Sequence, residues 1–90
     1  MPSSSPTDAT ALALTALAAT LSDERKAQRF LELSGLSPDE MRARAAEPAL
    51  LAAFLAFLEA HEPDLLAVAG EIGCSAQALV KARRTLEEEQ

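Results

Sequence analysis

Few side chains in this sequence have the chemistry for a reaction or a ligand. There is one Cys, one His, and three knots of basic residues. Cys74 could act as a nucleophile only with a neighbouring base and an orienting group. His61 stands beside Glu62 and Asp64, but a metal site needs three or four converging ligands, and no spacing here supplies them. One Cys makes neither an internal disulfide nor a zinc cluster, and it is compatible with a reducing cytosol. The sequence has no Gly-rich phosphate loop, no supported Ser/His/Asp set and no aromatic platform for single-stranded nucleic acid. The expectation is therefore no enzyme, no cofactor and no metal.

The basic residues are Arg25, Lys26 and Arg29; Arg42 and Arg44; and Lys81, Arg83 and Arg84. They are outnumbered: 14 Asp and Glu against 8 Lys and Arg give a net charge of −6. That balance favours solubility and disfavours sequence-independent attraction to DNA, RNA or anionic lipid. Solvated helix faces with acid–base neighbours explain most of the basic residues. If some converge, they form a patch for an acidic protein or for nucleic acid. Arg42, Arg44, Lys81 and Arg84, at helix ends, are the candidate partner-binding residues.

The elements that position these groups are read from punctuation and period. Gly35-Leu36-Ser37 and Gly73-Cys74-Ser75 each sit between two helical patterns. Gly can end a helix left-handed, and Ser two positions on can cap the next. The apolar residue between plugs the corner, so Cys74, like Leu36, is expected to be buried as a small hydrophobe. Leu and Ala supply most of the apolar content, and no alternating run reads as a strand. The expected fold is all-α: one compact orthogonal bundle of five or six short helices with two helix-turn-helix-like corners. The expected boundaries are a disordered tail over 1–7, a helical domain over 8–86 and a frayed acidic end over 87–90.

Asp8 is expected to cap a first helix running to about Leu21, with Leu14, Leu17 and Leu21 inward. Leu12, Ala16 and Ala19 lie on nearly the opposite face. Such a helix is either sandwiched or half of a contact between molecules, so those three residues are a candidate self-association surface, for a homodimer. Ser22 is read as the cap of a second helix, with Ala27, Phe30, Leu31 and Leu33 on its apolar side. Ser37-Pro38-Asp39-Glu40 has the form of a capping box with Pro at the first helical position. Pro48 opens a fourth helix to His61, whose Leu and Phe residues make it the expected centre of the core. A fifth runs from Pro63 to Ile72 with Leu65, Leu66, Val68, Ala69 and Ile72 apolar. A sixth follows Ser75 with Leu79, Ala82 and Leu86 inward. The uncharged stretch Ala9–Leu21 is preceded by Asp8 rather than Lys or Arg, the wrong sign for a signal peptide. It is also shorter than the ~20 residues of a membrane span.

The run Phe30-Leu31-Glu32-Leu33-Ser34-Gly35-Leu36-Ser37-Pro38-Asp39-Glu40-Met41-Arg42-Ala43-Arg44-Ala45-Ala46-Glu47-Pro48 resembles the core motif of a small helical family, the DUF3572-like domains. Leu65-Leu66 followed by Gly73, the final Ala/Arg helix and the Ala/Leu-rich first helix fit it too. The resemblance covers nearly the whole chain. The resemblance implies a bacterial, mostly alphaproteobacterial, cytoplasmic protein and brings no activity. Cys74 departs from the pattern, where an aliphatic residue is expected.

The expected function is a non-enzymatic protein–protein interaction module or regulatory adaptor with an unknown protein partner. The alternative is a helix-turn-helix-like nucleic-acid-binding regulator. Leu65–Lys81 has that skeleton and Leu31–Met41 repeats it, but Pro38-Asp39-Glu40 after the first corner and Glu71 before the second put carboxylates where phosphate would approach.

Overall fold

Why six helices emerge is visible at their ends in the computed structural model, which describes residues 6–89. They are α1 (Pro6–Leu21), α2 (Glu24–Ser34), α3 (Pro38–Arg44), α4 (Pro48–Glu59), α5 (Glu62–Ile72) and α6 (Ala76–Glu88). Gly35 and Gly73 take φ of 75° and 77°, the left-handed region that costs a Cβ-bearing residue about 1–2 kcal/mol. The Ser37 hydroxyl accepts the Glu40 N–H, and the Glu40 carboxylate accepts the Ser37 N–H, which completes the capping box. Ser75 caps α6 by accepting the Ala78 N–H.

Four boundaries differ from the sequence reading, one of them at the end of α4, which stops at Glu59 and leaves His61 at the N-cap of α5. Asp8 lies in the first turn of α1, which begins at Pro6; residues 1–5 of the expected tail lie outside the described residues. Asp23, not Ser22, caps α2: its carboxylate accepts from the Arg25 and Lys26 N–H groups. Ser22 instead donates back to the Ala18 carbonyl and finishes α1. At the far end α6 continues through Glu87 and Glu88, because Leu86 is buried and Arg83 holds Glu87 one turn on.

The core is built round α4, whose Leu50, Leu51, Ala52, Phe54, Leu55 and Leu58 are buried. It packs against α6, α1 and α5. The Cα radius of gyration is 12.0 Å, the value of about 12 Å expected for a single compact domain of this length. Arg83 ties α6 to α4 through the Glu59 carboxylate, and these bonds raise its pKa further above an already high value.

The inward face of α1 is Ala9, Ala13, Ala16, Leu17 and Thr20. Leu17 is inward as expected and Leu14 and Leu21 pack partly buried at the core's edge, but Ala9, Ala13, Ala16 and Thr20 take the rest of the face, so Leu12, Ala16 and Ala19 do not form one exposed stripe. Ala16 has no exposed surface, while Leu12 and Ala19 are partly buried against the core. The cause is that α1 meets α6, α4, α5 and α2, so it is sandwiched, and alanines allow the close approach. Buried Thr20 satisfies its hydroxyl by donating to the Ala16 carbonyl at 3.0 Å. Two other residues assigned to apolar faces lie outside: Leu33 is 71% and Leu66 55% exposed.

A candidate docking surface beside the first corner

Each helix of the α2–α3 arm reaches the core through one buried side chain, Phe30 from α2 and Met41 from α3. Phe30 packs edge-on against Phe54, centroids 5.3 Å apart, and tilted against Phe57 at 5.0 Å. Beside Phe57, α4 and its C-cap turn an alanine stripe outward: Ala49, Ala53, Ala56 and Ala60, all exposed. Methyl groups cannot fill the space that Leu33 and Leu36 leave on the α2 side. The result is an open apolar hollow of about 500 Å³ between α2 and α4. Phe30, Leu33, Leu36, Leu50, Ala53 and Phe57 line it. Arg44 and Glu47 stand at its edge, paired at 3.3 Å and each about half exposed. Interiors are close-packed, and monomers rarely expose contiguous apolar patches larger than about a few hundred Å², so an open apolar hollow of this kind points to an interaction surface.

The four candidate basic residues are not gathered at this hollow. Arg44 borders it. Arg42 is exposed and pairs with Asp39 at 2.9 Å. Lys81 borders a smaller cleft between α1 and α6, beside Leu12. Arg84 is exposed on α6, and neither it nor Lys81 has an ion-pair partner among the described residues. The other basic knot is split: Arg29 crosses to Asp64 of α5 and lies 5.9 Å over the Phe57 ring, while Lys26 reaches Asp23 at 4.0 Å.

His61 sits at the N-terminal boundary of α5, with its Nε2 3.9 Å from Asp64. No three His, Cys, Asp or Glu residues converge on a metal-sized point among the described residues. Cys74 is partly buried against the core, and burial pushes its thiol pKa up. An activated thiolate requires the opposite shift. No single described helix is long and apolar enough to cross a membrane.

Sequence reasoning missed the Arg29–Asp64 pair, whose partners are 35 residues apart. It also missed the role of Leu33, Ala53 and Phe57. The signal was present in and just after α4, where Ala recurs at 49, 53, 56 and 60 along one face, opposite a face rich in Leu and Phe. A family model described as a protein of unknown function (DUF3572) matches residues 6–89, and the chain belongs to that family. No curated protein and no solved structure matches it.

Proposed function

We propose that this chain is a non-enzymatic protein–protein interaction module, an adaptor that receives apolar side chains of a partner between α2 and α4. The observation that supports it is the open hollow in which exposed Leu33 faces the alanine stripe. Burying such side chains is worth about 25 cal/mol per Å² of apolar surface removed from water. Arg44 at the edge can exchange Glu47 for a carboxylate of the partner, which keeps it among the binding residues. Arg42 stands on the same helix.

The test is co-purification from the native cell. Ala53→Glu and Leu33→Glu place a charge in the hollow at exposed positions, so the melting temperature should stay nearly fixed. Proteins recovered with the unmodified chain should be lost with either variant and weakened by Arg44→Ala. Recovery of the same partners by both charged variants would reject the hollow as the docking surface.

A second reading, duplex binding, has one observation in its favour. Gln77, Lys81 and Arg84 recur at i, i+4 and i+7 on α6, all exposed, after a 99° bend from α5. That bend suits a helix-turn-helix. The net charge of −6 opposes it. A mobility shift on duplex DNA that weakens steeply with salt and is lost in Lys81→Glu would favour this reading over the first.

A further inference from the structure

The other flank of α2 has a different character. Glu24, Ala27, Gln28, Leu31 and Glu32 follow i, i+3, i+4, i+7 and i+8, so they form one face of the helix. That face borders a second open groove, of about 670 Å³, against α3. Its floor is apolar: Ala27, Leu31 and Leu36 are each partly exposed. Its rim carries three carboxylates and no Lys or Arg: Glu24 and Glu32 from α2 and Glu40 from across the corner. The basic residues of α2, Arg25, Lys26 and Arg29, border a different hollow towards α5, and Glu24 lies at the edge of both.

None of the three carboxylates is neutralised by an ion pair among the described residues. Glu24 has no partner among the described residues. Among the described residues Glu32 accepts only from the Gln28 amide, at 3.4 Å. Glu40 accepts the Ser37 N–H, and the hydrogen bonds of the capping box hold its carboxyl below the usual range, so it stays charged. Arg44, whose charge is felt at Glu40, is held by Glu47.

We propose that the α2–α3 groove binds a basic amphipathic helix of a partner protein, its apolar stripe on Leu31 and Leu36 and its Lys or Arg flanks against Glu24, Glu32 and Glu40. An apolar floor with a rim of one sign selects such a ligand. The floor gives affinity without direction, and the rim rejects acidic helices of the same shape. The 11 residues of α2 span about 16 Å, room for three turns of a docked helix. This rests on reading the chain as an interaction module, but not on the α2–α4 hollow.

The experiment uses the full chain and three synthetic helical peptides of about 14 residues. One has Leu at i, i+3, i+4 and i+7 with Lys flanks. The second has the same Leu with Glu flanks. The third keeps the Lys and replaces Leu by Ser. Binding is read by fluorescence anisotropy, and the contact is mapped by amide chemical shifts. The first peptide should bind, weaken with added salt, and shift amides of α2 and α3 around Leu31, Leu36 and Glu40. The other two should bind about tenfold more weakly or not at all.

In the double variant Glu24→Gln/Glu32→Lys, with helicity unchanged, the preference should move from the Lys-flanked to the Glu-flanked peptide. Three results would overturn the proposal: no binding of the first peptide, equal binding of the first two, or shifts centred on another surface. A dimer in sedimentation whose interface covers this groove would also overturn it, by assigning the groove to a second copy. Ala53→Glu should leave peptide binding intact. Loss of native partners in that variant alongside failure of the peptides would therefore remove this inference and leave the α2–α4 reading standing.

Discussion

Gly35 and Gly73 turn the chain with nearly the same φ, and Ser37 and Ser75 both cap the helix that follows. Their hydrogen bonds differ. At the second corner the Cys74 N–H reaches back to the Ala69 carbonyl at 2.9 Å and the Gly73 N–H to Gly70 at 3.4 Å, a Schellman closure. At the first, the Gly35 N–H bonds to Leu31 at 2.9 Å, and the Leu36 N–H goes to the Ser34 hydroxyl instead. The surroundings differ more. The helices at the second corner bury Leu65, Val68, Ala69, Leu79, Ala82 and Leu86, while those at the first bury Phe30 and Met41. The same local device thus serves two ends. One corner is inside the bundle's packing, and the other stands between two apolar hollows. Turn chemistry decides that a corner forms; the facing elements decide whether its sides are covered.

The largest test of this contrast is in the core. Phe54, fully buried in α4, should cost about 3–5 kcal/mol when replaced by Ala, read from a denaturant midpoint for the whole domain. Met41→Ala should cost about 2–5 kcal/mol at most, and its effect should concentrate in the arm. Amides of α3 should exchange faster in that variant, while those of α5 and α6 keep their protection. Equal loss of protection at both corners would break the contrast.

Glycine substitutions come next. A Cβ at Gly35 or Gly73 would meet nothing within 4 Å, so only the left-handed backbone is penalised. Gly35→Ala and Gly73→Ala should each cost about 1–2 kcal/mol and differ little from one another. A much larger cost at Gly73, by denaturation, would mean that the second corner is sterically tight as well as better closed.

How much of this was legible beforehand follows from the kind of interaction. The six helices, both corners, the capping box and the central place of α4 are local or periodic features, and the sequence carries them. On α1 only Leu17 of the expected Leu14, Leu17 and Leu21 is fully buried, because a hydrophobicity ranking puts Leu first whereas a sandwiched helix selects alanines such as Ala9, Ala13 and Ala16 where neighbours come close. Leu33 and Leu66 belong to apolar arcs but sit at their edges, and the arcs alone do not say where the neighbouring helix stops. The α2–α4 hollow depends on Leu33 and Ala53 facing each other across two helices, and the Arg29–Asp64 pair on α2 meeting α5. Neither is a property of one segment. The acidic groove was closer to hand: the spacing of Glu24, Leu31 and Glu32 is in the sequence, but that α3 brings Glu40 to the same rim is not.

The smallest expected effect sharpens the comparison of the caps. Ser37→Ala and Ser75→Ala should each cost about 0.5–2 kcal/mol, with Ser37 the more pH-dependent. The folded pKa of Glu40 is lowered by its bonds to Ser37. Its contribution is therefore present above the unfolded carboxylate pKa and lost as pH falls through the lowered folded value. The stability difference between Ser37→Ala and the unmodified chain should shrink across that acidic window, while the Ser75→Ala difference stays level. A parallel decline in both would remove the distinction between the caps.

The most direct test of the account is the footprint of a native partner, measured by amide hydrogen exchange on the complex. Protection should appear in α2, the Gly35 corner and the exposed side of α4 around Ala53, with α5 and α6 unchanged. Protection centred on Gln77 to Arg84, with the first corner unchanged, would contradict it and assign binding to the second corner instead.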